Sequence, residues 1–559
     1  MRFHVLVWHL FVCLASLCLA QDNPTPDPVR VVLRQELNRS FDVLKKTPAP
    51  PYFISYELTD RRTIRVDSSF GALTNSSDSR TRVLDLDLRI GDFKLDSTHS
   101  GEVSFDSSES HGQIPIEDGA DALRVALWLE TDRHYKQAVQ RFDAIKTNRK
   151  LKTEDEDKSP DFSAARPEIH VDAPAILNFD RSLWEEKVRR YGQAFRSVPD
   201  MVEADVSGVA ELVTHRYVNT EGTAITTSTP LYRLSISTSI RAQDGEVIPL
   251  NESYMSFTPE GLPGDQAVNV TVAHMVETLH ALQKAPVADA YTGPAILSSR
   301  ASAVFFHEIF GHRIEGQRLK EEDDAQTFKK KLHQQVLPAF LSVYSDPTLQ
   351  KLGNTELVGY YSYDDEGVKA QRVTVVDKGT LQTFLMSRSP NDQLNGSNGH
   401  GRRQEGYSLA ARQSNLVVSA SRTISREQLK KLLIERIKAT HKPYGLYFDD
   451  IEGGFTLTSR SVPNSFEVIP TIVYRVYPDG HEELVRGLDL IGTPLIAFSK
   501  IAAADDQVGV FNGVCGAESG WVPVSASSPG LLLEQIEVQR KAKSQENKPI
   551  LPAPADGQL

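Results

Sequence analysis

The sequence contains very few cysteines. Three occur in 559 residues, and two of them, Cys13 and Cys18, lie within the first twenty. This count excludes a small secreted fold held together by disulfides. If the first twenty residues are removed, Cys515 has no partner for an internal disulfide. It is then either an inert buried side chain or a metal ligand, because thiolate binds zinc well.

Long hydrophobic runs are also scarce, and the clearest lies at residues 5–19. This run follows a short charged start and is followed by Ala20 and a polar segment containing prolines, which is typical of a secretory signal peptide cut after Ala20. It is short for a transmembrane anchor. A lipoprotein attached at Cys18 fits less well, because bulky Leu17 precedes it. We expect an exported protein, periplasmic or extracellular, without membrane attachment after cleavage.

The sequence has fewer positively charged residues than negatively charged ones. Sixty-two Lys and Arg face 74 Asp and Glu, giving a formal net charge of −12. A protein that neutralises phosphates needs a basic face, so this balance argues against nucleic acid as a partner. The 40% of hydrophobic residues is ordinary for a globular protein, and the length predicts two or three domains.

One short motif combines two imidazoles with a carboxylate: His307, Glu308 and His312 follow the apolar residues 303–306. In the common metalloprotease motif the two histidines lie four residues apart on one helix face. A spacing of five turns a regular α-helix through about 500°, which separates the two side chains. We therefore predict a π-type widening of the helix, with Gly311 relieving the crowding. The alternative is two hydrogen-bonded histidines without a metal.

Cys515 is the candidate third ligand. It lies in the glycine-rich segment 511–520, which is expected to form a tight loop able to present its sulfur. Two histidines and one cysteine leave the fourth tetrahedral position open, as in catalytic zinc sites. The patterning thus predicts one Zn²⁺ per chain at His307, His312 and Cys515.

The residue patterns predict an α+β protein. We expect an N-terminal α/β domain with an antiparallel sheet, a middle region of helix and strand, and a β-rich C-terminal domain that carries the zinc-site helix. Residues 321–341 are expected to form a charged helix that could cover the site. The predicted segments are a signal peptide at 1–20, the N-terminal domain at 21–117, a charged helix and linker at 118–165, the middle region at 166–289, the C-terminal domain with the zinc-site helix at 290–537 and a disordered tail at 538–559.

The sequence resembles the TldD/PmbA metalloproteases. The segment 307–316 reads His-Glu-x-x-x-His-x-x-Glu-Gly, like the signature of that family. Further matching segments follow in order at 364–367, 398–402, 453–454, 487–492 and 512–516. The likeness covers roughly residues 290–535, whereas the N-terminal half is similar only in outline.

The resemblance implies a zinc peptidase of the catalytic type. It assigns His307, His312 and Cys515 to the metal and Glu308 to the role of general base. It also implies an unfolded or short peptide substrate, and either a homodimer or a heterodimer with a TldE-like sister subunit. Two departures matter: well-known relatives are cytoplasmic, and the charged segment 118–165 does not align with them.

Two functions from different classes follow. The first is a zinc metallopeptidase in which Glu308 activates water. The second is a secreted binding or assembly subunit of a TldD/TldE-like complex whose metal is structural or absent. The intact Glu308 favours the enzyme, because a structural zinc needs no general base. A role in DNA gyrase function, suggested by older associations of the family, is disfavoured by export and acidity.

Overall fold

The computed structural model describes residues 27–99, 114–149, 158–320, 327–456 and 466–541. The predicted signal peptide, most of the charged linker and the tail beyond residue 541 lie outside these ranges. Among the described helices, none is both long enough and apolar enough to cross a bilayer.

The part before residue 290 contains four helices and six strands within its described residues. The helices are α1 Pro28–Leu44, α2 Ala120–Arg149, α3 Arg181–Gln193 and α4 Asp265–Lys284. The strands are β1 Pro51–Ser69, β2 Ala72–Ile90, β3 Ile169–Val171, β4 Met201–Asn219, β5 Ala224–Arg241 and β6 Val247–Ser256.

These six strands form one sheet in the order β2-β1-β4-β5-β3, with β6 also paired to β5. Long antiparallel ladders join β1 to β2 and to β4, and β4 to β5. The β1–β2 turn has positive φ at Phe70 and Gly71, which suits a tight hairpin. The strands predicted for the N-terminal domain and for the middle region therefore belong to a single sheet.

Helices cover this sheet in two clusters. α1 and α2 pack with β1 and β2 through residues such as Leu33, Tyr56 and Leu127. α3 and α4 pack with β4, β5 and β6 through residues such as Val188, Ile236 and Leu279. The antiparallel sheet with helices confirms the α+β prediction for this part of the chain.

The part from residue 290 is rich in strands. Its α-helices are α5 Ser299–Ile309, α6 Arg426–Ala439 and α7 Pro494–Ser499. Its strands are β7 Tyr291–Leu297, β8 Leu341–Ser345, β9 Lys351–Leu352, β10 Thr355–Glu356, β11 Val373–Asp377, β12 Thr380–Leu381, β13 Gly401–Arg402, β14 Ala410–Ala411, β15 Asn415–Ala420, β16 Gly445–Thr456, β17 Phe466–Val476, β18 Glu482–Val485, β19 Leu488–Gly492, β20 Ile501–Ala517 and β21 Gly520–Arg540.

Most of these strands join an 11-stranded sheet ordered β12-β11-β8-β15-β21-β19-β17-β16-β7. β7 also pairs with β21, so the strands β21, β19, β17, β16 and β7 close into a ring. α5 packs its apolar residues, including Val304, Phe305 and Phe306, into the large core beside this ring. The prediction of a β-rich C-terminal domain is confirmed, and α5 carries the first two motif residues, His307 and Glu308.

Two local predictions in this part are wrong. Of the expected charged helix at 321–341, the described residues from 327 onward contain only a short 3₁₀ turn, Lys329–Lys331, before β8 begins at Leu341. Val336, Leu337 and Phe340 are buried in the core there, where a surface helix would expose them. The predicted tail also begins too early, because β21 extends to Arg540.

Candidate metal centre

α5 delivers the first half of the motif to the protein interior. Ser298 caps the helix, its hydroxyl accepting the backbone N–H of Ala301 at 3.1 Å. The helix is buried along most of its length and ends at Ile309, so His307 lies in its last turn with its imidazole buried. The hydrophobic sequence before the motif therefore fixes the position of this histidine.

His312 reaches His307 by a different route from the predicted one. α5 ends at Ile309, and a 3₁₀ turn, Gly311–Ile314, carries the second histidine. The two imidazole centroids are 5.4 Å apart. The predicted π-type bulge is wrong: the chain leaves the α-helix and tightens, and the changed direction at the helix end brings the two rings together.

Gly311 serves another purpose than relieving a bulge. A Cβ at this position would lie 1.8 Å from Oε1 and 2.1 Å from Cδ of Gln413. The Gln413 side chain is buried, and its Nε2 donates to the carbonyl of His307 at 3.3 Å. The glycine therefore leaves space beside the motif for the side chain of Gln413, which comes from a segment distant in sequence.

We expect Gly311→Ala to destabilise the protein by about 1–3 kcal/mol, as overpacking does in other buried sites, and to weaken metal binding by displacing Gln413. Denaturant unfolding and metal content measure the two effects. Gly396→Ala is the matched control, because a Cβ there would meet no atom within 4 Å. Equal stability of the two variants would contradict this account of Gly311.

Cys515 joins the histidines from the far end of the domain. The segment 511–520, predicted to be a tight loop, is mostly strand, and Cys515 lies near the end of β20, opposite Val522 in the β20–β21 hairpin. Its Sγ is 3.3 Å from Nε2 of His312. The three side chains each offer one donor atom, and these atoms lie within 4.8 Å of one another. The structure thus brings together the three residues predicted to bind metal, all of them buried.

This donor set fits a zinc ion. Zinc binds His nitrogen at about 2.0 Å and Cys sulfur at about 2.3 Å, and donor atoms this close can share one ion. Nδ1 of His307 is buried without a hydrogen-bond partner, which is costly for a ring nitrogen unless something binds it. Two imidazoles and a thiolate suit zinc better than calcium or magnesium, which prefer oxygen ligands.

Burial and mutual charge shift the pKa values of all three residues. Burial alone would raise the pKa of the Cys515 thiol, but His312 and His307 outweigh it and lower that pKa well below its ordinary value. Burial would lower the pKa of His307 and of His312, but the Cys515 charge reverses this and raises both. A metal must therefore displace protons from the histidines, so metal binding should weaken as the pH falls.

Glu308 lies beside the three residues and is partly exposed. Burial of its carboxylate raises its pKa above the ordinary value, although His307 and His312 oppose the shift. The backbone N–H of Gly454, in β16, donates to this carboxylate. A carboxylate with a raised pKa next to a metal centre is suited to accept a proton.

Glu315, in the segment 307–316, contacts one of the candidate ligands, His312. Its Oε2 lies 3.3 Å from Nδ1 of His312 and 2.9 Å from an amino group of Arg318. Burial would raise its pKa, but His312 and Arg318 outweigh it, and the pKa is lowered to about 2. Such a carboxylate fixes the ring orientation of a metal-binding histidine and leaves Nε2 free for the metal. Its spacing of three residues from His312 was the available signal.

His400, in the matching segment 398–402, is fully buried. Its Nε2 lies 3.0 Å from the hydroxyl of Ser345, and burial lowers its pKa to about 4. It does not belong to the metal cluster.

A second cluster that the sequence did not suggest joins β1 and β4 to the C-terminal domain. It contains Glu57, His215 and Asp365, with 3.1 Å between Glu57 Oε1 and His215 Nδ1. Nε of Arg403 donates to the other oxygen of Glu57 at 3.1 Å. The Arg403 guanidinium already neutralises the Glu57 carboxylate and so disfavours cation binding. We therefore regard the cluster as an ion-pair network between the N-terminal sheet and the C-terminal domain.

Residues 290–540 match the family model of the PmbA/TldA metallopeptidase C-terminal domain. A metalloprotease of Archaeoglobus fulgidus is 27% identical over 258 residues, which cover 46% of this chain and 56% of the relative. A metalloprotease TldD homolog of Haemophilus influenzae is 26% identical over 381 residues, covering 65% of this chain and 74% of the relative. The chain therefore spans little more than half of the first relative.

The fold is shared with a solved structure. The crystal structure of TldE from Thermococcus kodakarensis superposes with a TM-score of 0.59, covering 91% of this chain and 100% of TldE, at 12% identity. The two relatives are named as metalloproteases, a class of enzyme that acts with a bound metal. The family match thus places a PmbA/TldA-type metallopeptidase C-terminal domain at residues 290–540, and the chain is similar to metalloproteases of this type in sequence and to TldE in fold.

Proposed function

We propose that this protein is a zinc metallopeptidase that hydrolyses peptide bonds of unfolded or small peptides. One observation carries the proposal: the donor atoms of two imidazoles and a thiol lie within 4.8 Å of one another, beside the raised-pKa carboxylate of Glu308. A purely structural metal site would not need that carboxylate.

The proposed roles follow from this arrangement. His307, His312 and Cys515 would hold one Zn²⁺ per chain, and the bound ion would supply the positive charge that acidifies water and polarises the scissile carbonyl. Glu308 accepts the proton of the attacking water and then donates it to the leaving amine, as general base and then general acid. Glu315 keeps His312 oriented through both steps.

The edge of β20 is a candidate surface for the substrate. Among the described residues, β20 pairs along its length only with β21, apart from an isolated bridge between Ile424 and Asp505. Cys515 lies near the end of this strand. An extended peptide could pair with the free edge through main-chain hydrogen bonds, which give affinity with little side-chain selectivity. This mode suits unfolded substrates.

We further propose that the protein is exported to the periplasm or the medium, as residues 1–20 suggest. Likeness of fold to TldE supports an assembly of two related subunits, either a homodimer or a heterodimer with a TldE-like sister chain. The acidic balance of the chain continues to argue against a nucleic-acid partner.

The alternative is a non-catalytic binding or assembly subunit that uses the same metal for stability. The likeness of fold to TldE keeps this alternative open, because a TldE-like chain is the sister subunit that the family resemblance implies. A bound metal is compatible with both functions, so a measurement of peptide hydrolysis is needed to distinguish them.

The test measures metal content and peptide hydrolysis on the same purified sample. We expect about one zinc per chain by mass spectrometry, cleavage of an unfolded polypeptide such as denatured casein, loss of cleavage with a chelator and recovery with added Zn²⁺. Stoichiometric zinc without cleavage, alone or with a TldE-like subunit, would favour the binding subunit. Absence of metal would overturn the proposed site.

A further inference from the structure

Arg412 connects two of the ligand-bearing segments. Its side chain is fully buried. One amino group donates to the carbonyl of Cys515 at 2.9 Å, and the other donates to the hydroxyl of Ser519 at 2.8 Å and the carbonyl of Gly520 at 3.1 Å. A single guanidinium thus holds the hairpin that carries the cysteine at three points.

The same guanidinium faces the histidine side of the centre. Its Nε lies 3.3 Å from Oε1 of Glu315, an ion pair without hydrogen-bond geometry. The other oxygen of Glu315 contacts Nδ1 of His312. Arg412 is therefore linked to His312 through one carboxylate and to Cys515 through one carbonyl.

The next residue reaches the remaining ligand. Nε2 of Gln413 donates to the carbonyl of His307 at 3.3 Å, and the space for its side chain exists because residue 311 is a glycine. Arg412 and Gln413 follow directly after β14 and precede β15, so strand pairing on both sides restrains them. Arg412 and Gln413 together thus contact the Glu315 carboxylate that holds His312 and the backbone carbonyls of Cys515 and His307.

The distance along the chain explains why such a link is needed. His312 and Cys515 are 203 residues apart, and no regular element contains both. Metal affinity is higher when the ligands are already held in the geometry of the bound state. Loss of a residue that holds a ligand, without itself binding the metal, typically lowers metal affinity by about 10–100-fold.

We propose that Arg412 and Gln413 form the positioning element of the metal centre: Arg412 sets the distance between His312 and Cys515, and Gln413 sets the position of His307. Neither residue binds the metal or touches the substrate. This inference rests on the proposed metal function and assigns it two residues outside the segment 307–316.

The experiment compares Arg412→Met with Arg388→Met in the full chain. Arg388 is an equally buried arginine that donates to the carbonyl of Ser163 and to Glu221, away from the metal cluster. Both variants should lose stability. We expect only Arg412→Met to weaken zinc affinity, by about 10–100-fold in competition with a chelator, and to change the visible absorption bands of bound Co²⁺.

Gln413→Leu is a second variant that keeps side-chain volume and tests the idea if Arg412→Met does not fold. We expect weaker metal binding and altered Co²⁺ bands there too. Wild-type affinity and an unchanged spectrum in the folded variants would overturn the proposal, as would equal loss in Arg388→Met. If the wild-type protein binds no metal, the proposed function itself fails, which is a separate outcome.

Discussion

Cys515→Ser is expected to lose its zinc. A hydroxyl is a much poorer zinc ligand than thiolate, and the variant leaves two histidines to hold the ion. Since changes outside the ligand set already cost about 10–100-fold in affinity, we expect a loss of at least about 100-fold, together with loss of hydrolysis. Metal analysis after dialysis against a weak chelator measures the first effect.

The control for this variant must disturb the same packing without removing a ligand. Cys515 packs with Val522 and Val524 in a small buried cluster. Val524→Ala leaves a cavity there and should cost stability while retaining zinc. Zinc retained by Cys515→Ser would remove this residue from the site. Zinc lost equally from Val524→Ala would mean that local unfolding, not ligand loss, releases the ion.

Glu308→Gln should keep the metal and lose the chemistry. The amide has nearly the shape of the carboxylate but accepts no proton, so we expect hydrolysis to fall by about 10²–10⁴-fold with near-normal zinc content. Turnover of an unfolded polypeptide and metal analysis on one sample separate the two effects.

Glu366→Gln is the matched control for Glu308→Gln. Glu366 is a more deeply buried carboxylate whose pKa burial likewise raises, to about 7, and it accepts the backbone N–H of Arg388 outside the metal cluster. It should leave turnover close to wild type. Full activity in Glu308→Gln would assign the proton transfer to another group, and equal loss in both variants would indicate a general effect of neutralising buried carboxylates.

The strand and helix content could be predicted because it depends on local patterns. Residue patterns predicted an antiparallel sheet in the N-terminal domain and a helix within residues 118–165. The pairing of β1 with β4 could not be predicted, because the partners lie more than a hundred residues apart. The charged segment 321–341 was predicted as a helix from its composition, yet its hydrophobic residues are needed in the core.

The candidate metal residues could be predicted because ligand chemistry is specific: few residue types bind zinc, and Cys515 is the one cysteine outside the first twenty residues. The local geometry of the site could not be predicted from the sequence. The spacing of His307 and His312 requires a departure from the α-helix, but it does not tell a bulge from a helix end followed by a 3₁₀ turn. The roles of Arg412 and Gln413 depend on contacts that exist only in the folded chain.

The separation of the ligands has a consequence for synthesis. His307 and His312 leave the ribosome about two hundred residues before Cys515, and β21, which pairs with β20 to position that cysteine, follows later still. A nascent chain therefore carries the two histidines without their thiolate. Because long-range contacts form only after the intervening chain is available, a partly made chain would hold an incomplete centre, and under the proposed function it would be unable to cleave itself or its neighbours.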